Sequence, residues 1–229
     1  MNIEDPLLIA RIFSIMKIDI YHITSIENLE GIIRSGNIYC DSDIKALGIE
    51  IYSYSKEDLK QERSLFEVPI CCGGVISDYV PFFFTNRPPM LLSIKYRFGS
   101  QIQRRFLHLV SSVEAIINSD LPFCYTDGHA IMSFTDFYED LELLEEVIDW
   151  ELIENGYWAD TEDDNDRKRR KQAEFLVYNR LPWSCIESIV VKDNSINNDV
   201  KEILKRLRED PNFSYDLDIP IVTKPDWYY

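Results

Sequence analysis

Apolar positions along this chain come in short alternating or helical runs. Ile18–Ile23 alternates and predicts a first strand. Ser25 reads as an N-cap, with Asn28 three residues on as its box partner. Ile26, Leu29, Ile32 and Ile33 then stripe a helix over Ile26–Arg34 that Gly36 ends. Residues 40–64 read as a helix with loops. Val80–Thr85 predicts a buried strand closed by Asn86-Arg87-Pro88-Pro89, because residues before proline are driven out of helix. Met90–Ile94 suits a short helix or strand. Phe106–Ser111 and Ala115–Asn118 read as two β-type runs around a turn. Phe123–Ser133 reads as a strand, a tight Thr126-Asp127-Gly128 turn and a second apolar run. Leu141, Leu144 and Val147 space a helix over Asp140–Trp150. Ile186–Val191 predicts a strand, Asn197–Arg208 an amphipathic helix and Ile219–Val222 an edge strand. This order predicts one α+β domain over residues 1–229, with mostly antiparallel strands rather than regular βαβ winding.

Composition narrows the class. The 229 residues are 45% hydrophobic and 13% aromatic, enough for one full core. No run approaches the roughly 18 apolar residues of a membrane span. Met1–Ala10 carries Glu4 and Asp5 where a secretory signal would be basic, and five cysteines without a CxxC pair suggest no disulfide framework or zinc cage. A reducing cytoplasm is the expected compartment.

The net charge of −16 argues against a passive nucleic-acid binder, but its distribution changes the picture. Asp136–Asp166 holds 14 acids and no Lys or Arg, leaving 26 acids against 24 cations elsewhere. Directly after it comes the run Arg167-Lys168-Arg169-Arg170-Lys171. An acidic segment thus abuts a basic one, and a local anion-binding surface is expected.

The chain carries no GxGxxG, Walker loop, HExxH or GxSxG. Among its three histidines, His22 shares a strand face with Thr24 by alternation. Taken singly, the candidate residues have ordinary explanations. His22 suits a half-exposed strand position, Glu174 a surface carboxylate, Arg63 a solvated loop residue, and Asp127 and Asp136 turn formers.

Taken in order, they resemble a family. Tyr21-His22-Ile23-Thr24 with Asn28-Leu29 resembles the opening motif of the DarT family, toxin ADP-ribosyltransferases that use NAD to modify bases in single-stranded DNA. Gly73-Gly74, Asp78-Tyr79-Val80-Pro81-Phe82-Phe83-Phe84 and Pro89-Met90-Leu91 are similar to the family's most distinctive stretch. Pro122-Phe123, Tyr125-Thr126-Asp127-Gly128-His129-Ala130 and Gln172-Ala173-Glu174 complete the ordered set, with weaker similarity at Trp227-Tyr228. The motif-bearing part is about residues 18–192.

The resemblance implies an ADP-ribosyltransferase-like fold of split antiparallel sheets with peripheral helices and NAD in the cleft. It implies that His22, Ile23 and Thr24 hold NAD, with Gly31 and Tyr39 also in contact. Phe83 would stack on nicotinamide where relatives commonly carry Tyr, and Met90 would close that pocket. Glu174 would be the transferase carboxylate and Arg63 the reactive-site arginine, acting on NAD and on the base proton, with no metal needed. His129, Lys168 and Arg170 would lie on the nucleic-acid strand, and Arg104 and Arg105 on phosphate at the far side. From adjacency in the chain, Arg170 would share a helix face with Glu174, and Arg167–Lys171 would form the positive wall of the nucleic-acid groove, with Asp136–Asp166 facing away or folding over as a lid. The implied function is modification of thymine in single-stranded DNA, with a macrodomain antitoxin of the DarG type as partner. Guanine, an RNA base, or a degenerate NAD- or nucleic-acid-binding module remain the alternatives.

Overall fold

The computed structural model describes residues 17–213 and 217–229. The N-terminal stretch Met1–Ala10 lies outside them. The chain runs through β1 (Asp19–Ser25), α1 (Ile26–Ser35), β2 (Asn37–Tyr39), α2 (Asp41–Leu47), α3 (Glu57–Arg63), β3 (Tyr79–Phe83), α4 (Pro89–Phe98) and β4 (Phe106–Ser112). It continues through α5 (Val113–Asn118), β5 (Phe123–Thr126), β6 (Phe137–Tyr138), α6 (Leu144–Val147), α7 (Trp150–Glu154), α8 (Arg167–Arg170), β7 (Glu174–Tyr178) and β8 (Arg180–Pro182). The last elements are β9 (Ser188–Val191), α9 (Asn194–Glu209) and β10 (Ile221–Thr223).

The main sheet has the order β10-β9-β4-β1-β3-β7-β5-β6, and β2 pairs with β8 in a small second sheet. Every pairing is antiparallel except the edge pair β10–β9. The main sheet is nearly two sheets. β1 and β4 share seven register pairs, whereas β1 and β3 share one, Tyr21 with Phe83. The next pair in that register would be Ile23 with Pro81. Proline has no N–H to give to a ladder, and the Pro81 carbonyl accepts from the His22 ring instead. The seam therefore opens just where the His22 motif begins.

Helices pack on this frame through apolar stripes. Leu29 and Ile33 of α1 and Val200, Leu204 and Leu207 of α9 are buried in one core with Ile20, Phe82, Leu109 and Ile189. At roughly 1.5–3 kcal/mol per fully buried aliphatic side chain, this layer supplies much of the driving force. Gly36 ends α1 in the left-handed region (φ 69°), as its position predicts. Among the described residues, no helix is long and apolar enough to cross a membrane.

Three expectations are corrected. Ala115–Asn118 is helical, because the Ser112 hydroxyl accepts from the Ala115 N–H at 3.1 Å and starts a helical turn. The apolar run after Gly128 forms no strand, because the Ala130 N–H is engaged by a carboxylate rather than a ladder; β5 instead pairs with Phe137–Tyr138 on one side and with β7 on the other. Asp140–Trp150 is broken into short turns, since Asp149 caps α7 with its side chain on the Leu152 N–H at 3.0 Å.

Candidate active site

The open seam is the wall of a cleft of about 780 Å³. That volume lies within the usual range for organic ligands, roughly 300–1,000 Å³. On β1, His22, Ile23 and Thr24 line it. His22 Nδ1 lies 2.9 Å from the Pro81 carbonyl, which can only accept. Nδ1 therefore carries the proton, and Nε2 is left as an acceptor on a ring that borders the cleft. Burial lowers the His22 pKa, which keeps that tautomer neutral.

Asn28 was expected as a box partner for Ser25, but it has a different task. Its Nδ2 donates to Thr24 Oγ1 at 3.1 Å and to the Tyr52 carbonyl at 2.9 Å, while Oδ1 accepts from the Tyr52 N–H at 2.8 Å. Asn28 thus pins the loop after α2 over the cleft beside the His-x-Thr strand. Gly31, one turn further along α1, has no atom of the described residues within 4 Å of where a Cβ would stand, so among them nothing covers the helix backbone on that side.

Glu174 opens β7, directly across from Phe83 on β3, so both side chains take the same face. It is no surface carboxylate: it is 1% exposed. Arg63 Nη1 donates to both carboxylate oxygens, at 3.0 and 3.3 Å. The Ala130 N–H donates to Oε1 at 3.0 Å. Its own backbone N–H is held by Thr126 Oγ1 at 3.1 Å. Arg63 is the last residue of α3 rather than a loop residue. A buried charge survives only with partners of this kind.

Two polar atoms beside the carboxylate are buried without a partner among the described residues: Arg63 Nη2 and His129 Nδ1. Burial pushes the His129 pKa down, and Glu174 nearby opposes that shift. A buried donor or acceptor without a partner costs about 1–3 kcal/mol. A ligand rich in hydroxyl and amide groups, as NAD is, matches that demand.

The cleft brings together His22, Ile23, Thr24, Gly31, Tyr39, Arg63, Phe83, Met90, His129, Lys168 and Glu174. It does not include Arg170, Arg104 or Arg105. Arg170 is tied to Asp149 and Asp164, Arg104 to Asp193 at 2.9 Å, and Arg105 to Glu27. The shared helix face expected for Arg170 and Glu174 does not exist, because α8 is a single turn and Glu174 stands on a strand. The open positive wall is also corrected. Arg169 pairs with Asp127 and Asp166, and the buried Lys171 Nζ donates to the carbonyls of Leu152, Ile153 and Asn155. Lys168 alone in the run is exposed, and it makes no side-chain ion pair among the described residues. Sequence reasoning missed Asn28 as a loop pin, Pro81 as the cause of the seam and the Ala130 N–H as a carboxylate ligand. A proline inside a run that otherwise reads as a strand was a readable signal for the second; a backbone N–H leaves no trace in side-chain chemistry.

Comparison with known proteins agrees with this geometry. The family model described as "DarT: ssDNA thymidine ADP-ribosyltransferase, DarT" matches residues 21–229. A protein of Thermus sp. (strain 2.9) named DNA ADP-ribosyl transferase is 38% identical over 215 residues, spanning 92% of this chain and 95% of that protein. The structure of Thermus sp. 2.9 DarT in complex with ADP-ribosylated ssDNA matches with a TM-score of 0.80 at 37% identity, covering 93% of this chain and 96% of that one. The same protein in complex with NAD+ matches with a TM-score of 0.75 at 37% identity, over 93% and 98% of the two chains. On a match that begins at Tyr21 and takes in the His22 strand, the Arg63–Glu174 pair and the cleft between them, the chain belongs to the DarT family.

Proposed function

We propose that this chain transfers ADP-ribose from NAD to a thymine base of single-stranded DNA and releases nicotinamide. The observation that carries the reading is the Glu174 carboxylate, buried, pinned by Arg63 and the Ala130 N–H, and set across from Phe83 in a cleft walled by the His22 strand.

The chemistry follows from that placement. The nicotinamide–ribose bond breaks with its electron pair leaving on nicotinamide, and positive charge builds on the sugar. The Glu174 carboxylate, oriented beforehand by Arg63 and the Ala130 N–H, stabilises that charge without reorganising. A ring nitrogen of the base then bonds to the sugar carbon and gives up its proton to solvent water. Arg63 acts as a fixed guanidinium cation rather than as a base: it orients Glu174 and offers Nη2 to a substrate oxygen. His22 Nε2, as an acceptor, suits a ribose hydroxyl or the nicotinamide amide. Phe83 supplies an aromatic face for the nicotinamide ring, and Met90 lines the same cleft. His129 and Lys168 border the side from which a base would enter, and single-stranded substrate makes unstacking that base cheap. Arg170, Arg104 and Arg105 join the strand-binding set only by exchanging their present carboxylate partners for phosphates.

In the cell the reading is a cytoplasmic toxin, held in check by a macrodomain hydrolase of the DarG type that reverses the modification. The direct test offers labelled NAD with single-stranded DNA, duplex DNA, RNA and protein together. Label on single-stranded DNA, with mass spectrometry placing ADP-ribose on thymidine, is the expected result. Label on RNA or protein alone overturns it.

A further inference from the structure

One arginine of the basic run is spent on the loop that carries a ligand of the catalytic carboxylate. The loop between β5 and β6 delivers the Ala130 N–H to Glu174 and sets His129 at the cleft. Arg169 touches both ends of that loop and its middle. Its Nη1 donates to Asp127 Oδ1 at 2.9 Å and to Thr135 Oγ1 at 3.2 Å, and its backbone carbonyl accepts the His129 N–H at 3.1 Å. The other edge of the guanidinium grips Asp166, the last acid of the acidic stretch, with Nε and Nη2 each 2.7 Å from a carboxylate oxygen. Thr135 in turn donates to the His129 carbonyl at 2.9 Å. The Arg169 side chain packs against Gly128: a Cβ there would stand 2.4 Å from Nη1 and 2.8 Å from Cγ of Arg169. The side chain is 10% exposed, and its contact with Asp166 is the bidentate kind that fixes geometry as well as energy.

We infer that Arg169 is a positioning residue for the transfer reaction: by clamping the Asp127–Thr135 loop it sets the Ala130 N–H on Glu174 and the His129 ring at the cleft. Arg169 borders the cleft, but its guanidinium nitrogens are taken by Asp127, Thr135 and Asp166, so it acts through the loop. The inference rests on the transferase reading for its kinetic consequence, and on geometry alone for its structural one. It also assigns the abutting acidic and basic stretches a shared task, since Asp166 anchors one side of the guanidinium and the catalytic loop the other.

The test compares wild type with Arg169→Gln, Arg169→Lys and Gly128→Ala. Hydrogen exchange at the Ala130 amide reads the loop without any activity, and it should quicken in Arg169→Gln and Gly128→Ala. With labelled NAD and single-stranded DNA, kcat should fall about 10- to 100-fold, the scale of a small misplacement of a reacting group. KM for NAD should stay within about twofold. Arg169→Lys keeps one cation but not the fork, so it should recover part of kcat. If Arg169→Gln does not fold, Gly128→Ala decides, because it displaces the guanidinium without removing a charge. Wild-type exchange at Ala130 and wild-type kcat in a folded variant overturn the inference. A wild-type protein that transfers nothing to any strand, while Ala130 exchange still quickens in the variants, overturns the transferase reading and leaves the clamp standing.

Discussion

Arg63 and Glu174 stand 111 positions apart in the chain, yet one guanidinium nitrogen reaches both oxygens of the carboxylate, at 3.0 and 3.3 Å. Neither is at the surface: the side chains are 12% and 1% exposed. The end of a short helix and the start of a central strand thus meet on one charge pair. Such a pair is worth less than its Coulomb attraction suggests, since both ions have left water, but breaking it leaves a buried charge alone.

Glu174→Gln keeps the shape and removes the charge. It is expected to fold, to bind NAD nearly as wild type, and to lose transfer by about 10²- to 10³-fold, because the charge acts mainly in the transition state. Arg63→Ala is expected to destabilise the fold by about 3–5 kcal/mol through the stranded carboxylate. The double variant Arg63→Ala/Glu174→Ala should cost less than the two single losses added. Urea unfolding of the four proteins measures that coupling, and strict additivity would mean the pair is not formed in solution.

How far the residues alone foretold this can be judged at particular places. The His22 strand, the Gly36 stop and the α9 stripe were legible because alternation and helical spacing were intact there. Val113–Asn118 was not, since the Ser112 cap outweighs a run rich in β-branched residues. The cleft residues were legible only as an ordered set, because nothing near Arg63 in sequence says that it will meet Glu174. The basic run was misread for the same reason: its counter-charges, Asp127, Asp149, Asp164 and Asp166, come from the acidic stretch and from the β5 turn, and only folding shows which cation each one takes.

His22→Ala removes an acceptor from the cleft wall and leaves the Pro81 carbonyl without its donor. One or two buried hydrogen bonds are worth about 1–3 kcal/mol, so NAD affinity should drop roughly 5- to 150-fold. Base preference should not change. Titration calorimetry with a non-hydrolysable NAD analogue reads the first, and competition between oligonucleotides the second. An unchanged affinity returns His22 to the role of a strand residue that merely ends a ladder.

Acid should weaken this fold through its histidines. Burial pushes His108 down to about 4, and it lowers His22 and His129 as well. His108 Nε2 donates to the Asn86 carbonyl at 2.7 Å, and Nδ1 lies 3.1 Å from the Tyr228 hydroxyl, so the neutral ring is fully used. Between the ordinary value near 6.5 and about 4, the unfolded chain takes up a proton that the folded chain refuses. The His108 contribution is therefore complete above pH 6.5 and is lost as pH falls toward 4, about 3 kcal/mol in all. Urea midpoints at pH 7 and pH 4.5 should differ more for wild type than for His108→Gln. Equal differences would show that His108 does not resist protonation.

The salt dependence of strand binding should trace to Lys168 rather than to the whole basic run. Lys168 is exposed at the cleft, close enough to His129 to lower its pKa, and its backbone N–H is held by Asp160 Oδ1 at 2.9 Å. Its position is thus fixed while its charge is uncommitted. Arg170 is committed to Asp149 and Asp164, and Arg169 to Asp127 and Asp166. A cation already neutralised inside the protein releases few counterions from a nucleic acid. Lys168→Gln should therefore reduce the slope of log affinity against log salt by about 0.7 for single strands, the loss of one phosphate contact. Arg170→Gln should leave the slope nearly unchanged and lower the unfolding midpoint instead, because it strands two carboxylates. Fluorescence anisotropy with a labelled oligonucleotide at several salt concentrations measures the slopes. A wild-type slope in Lys168→Gln, with a reduced one in Arg170→Gln, would mean that the strand draws Arg170 out of its ion pairs and that the acidic segment moves when DNA binds.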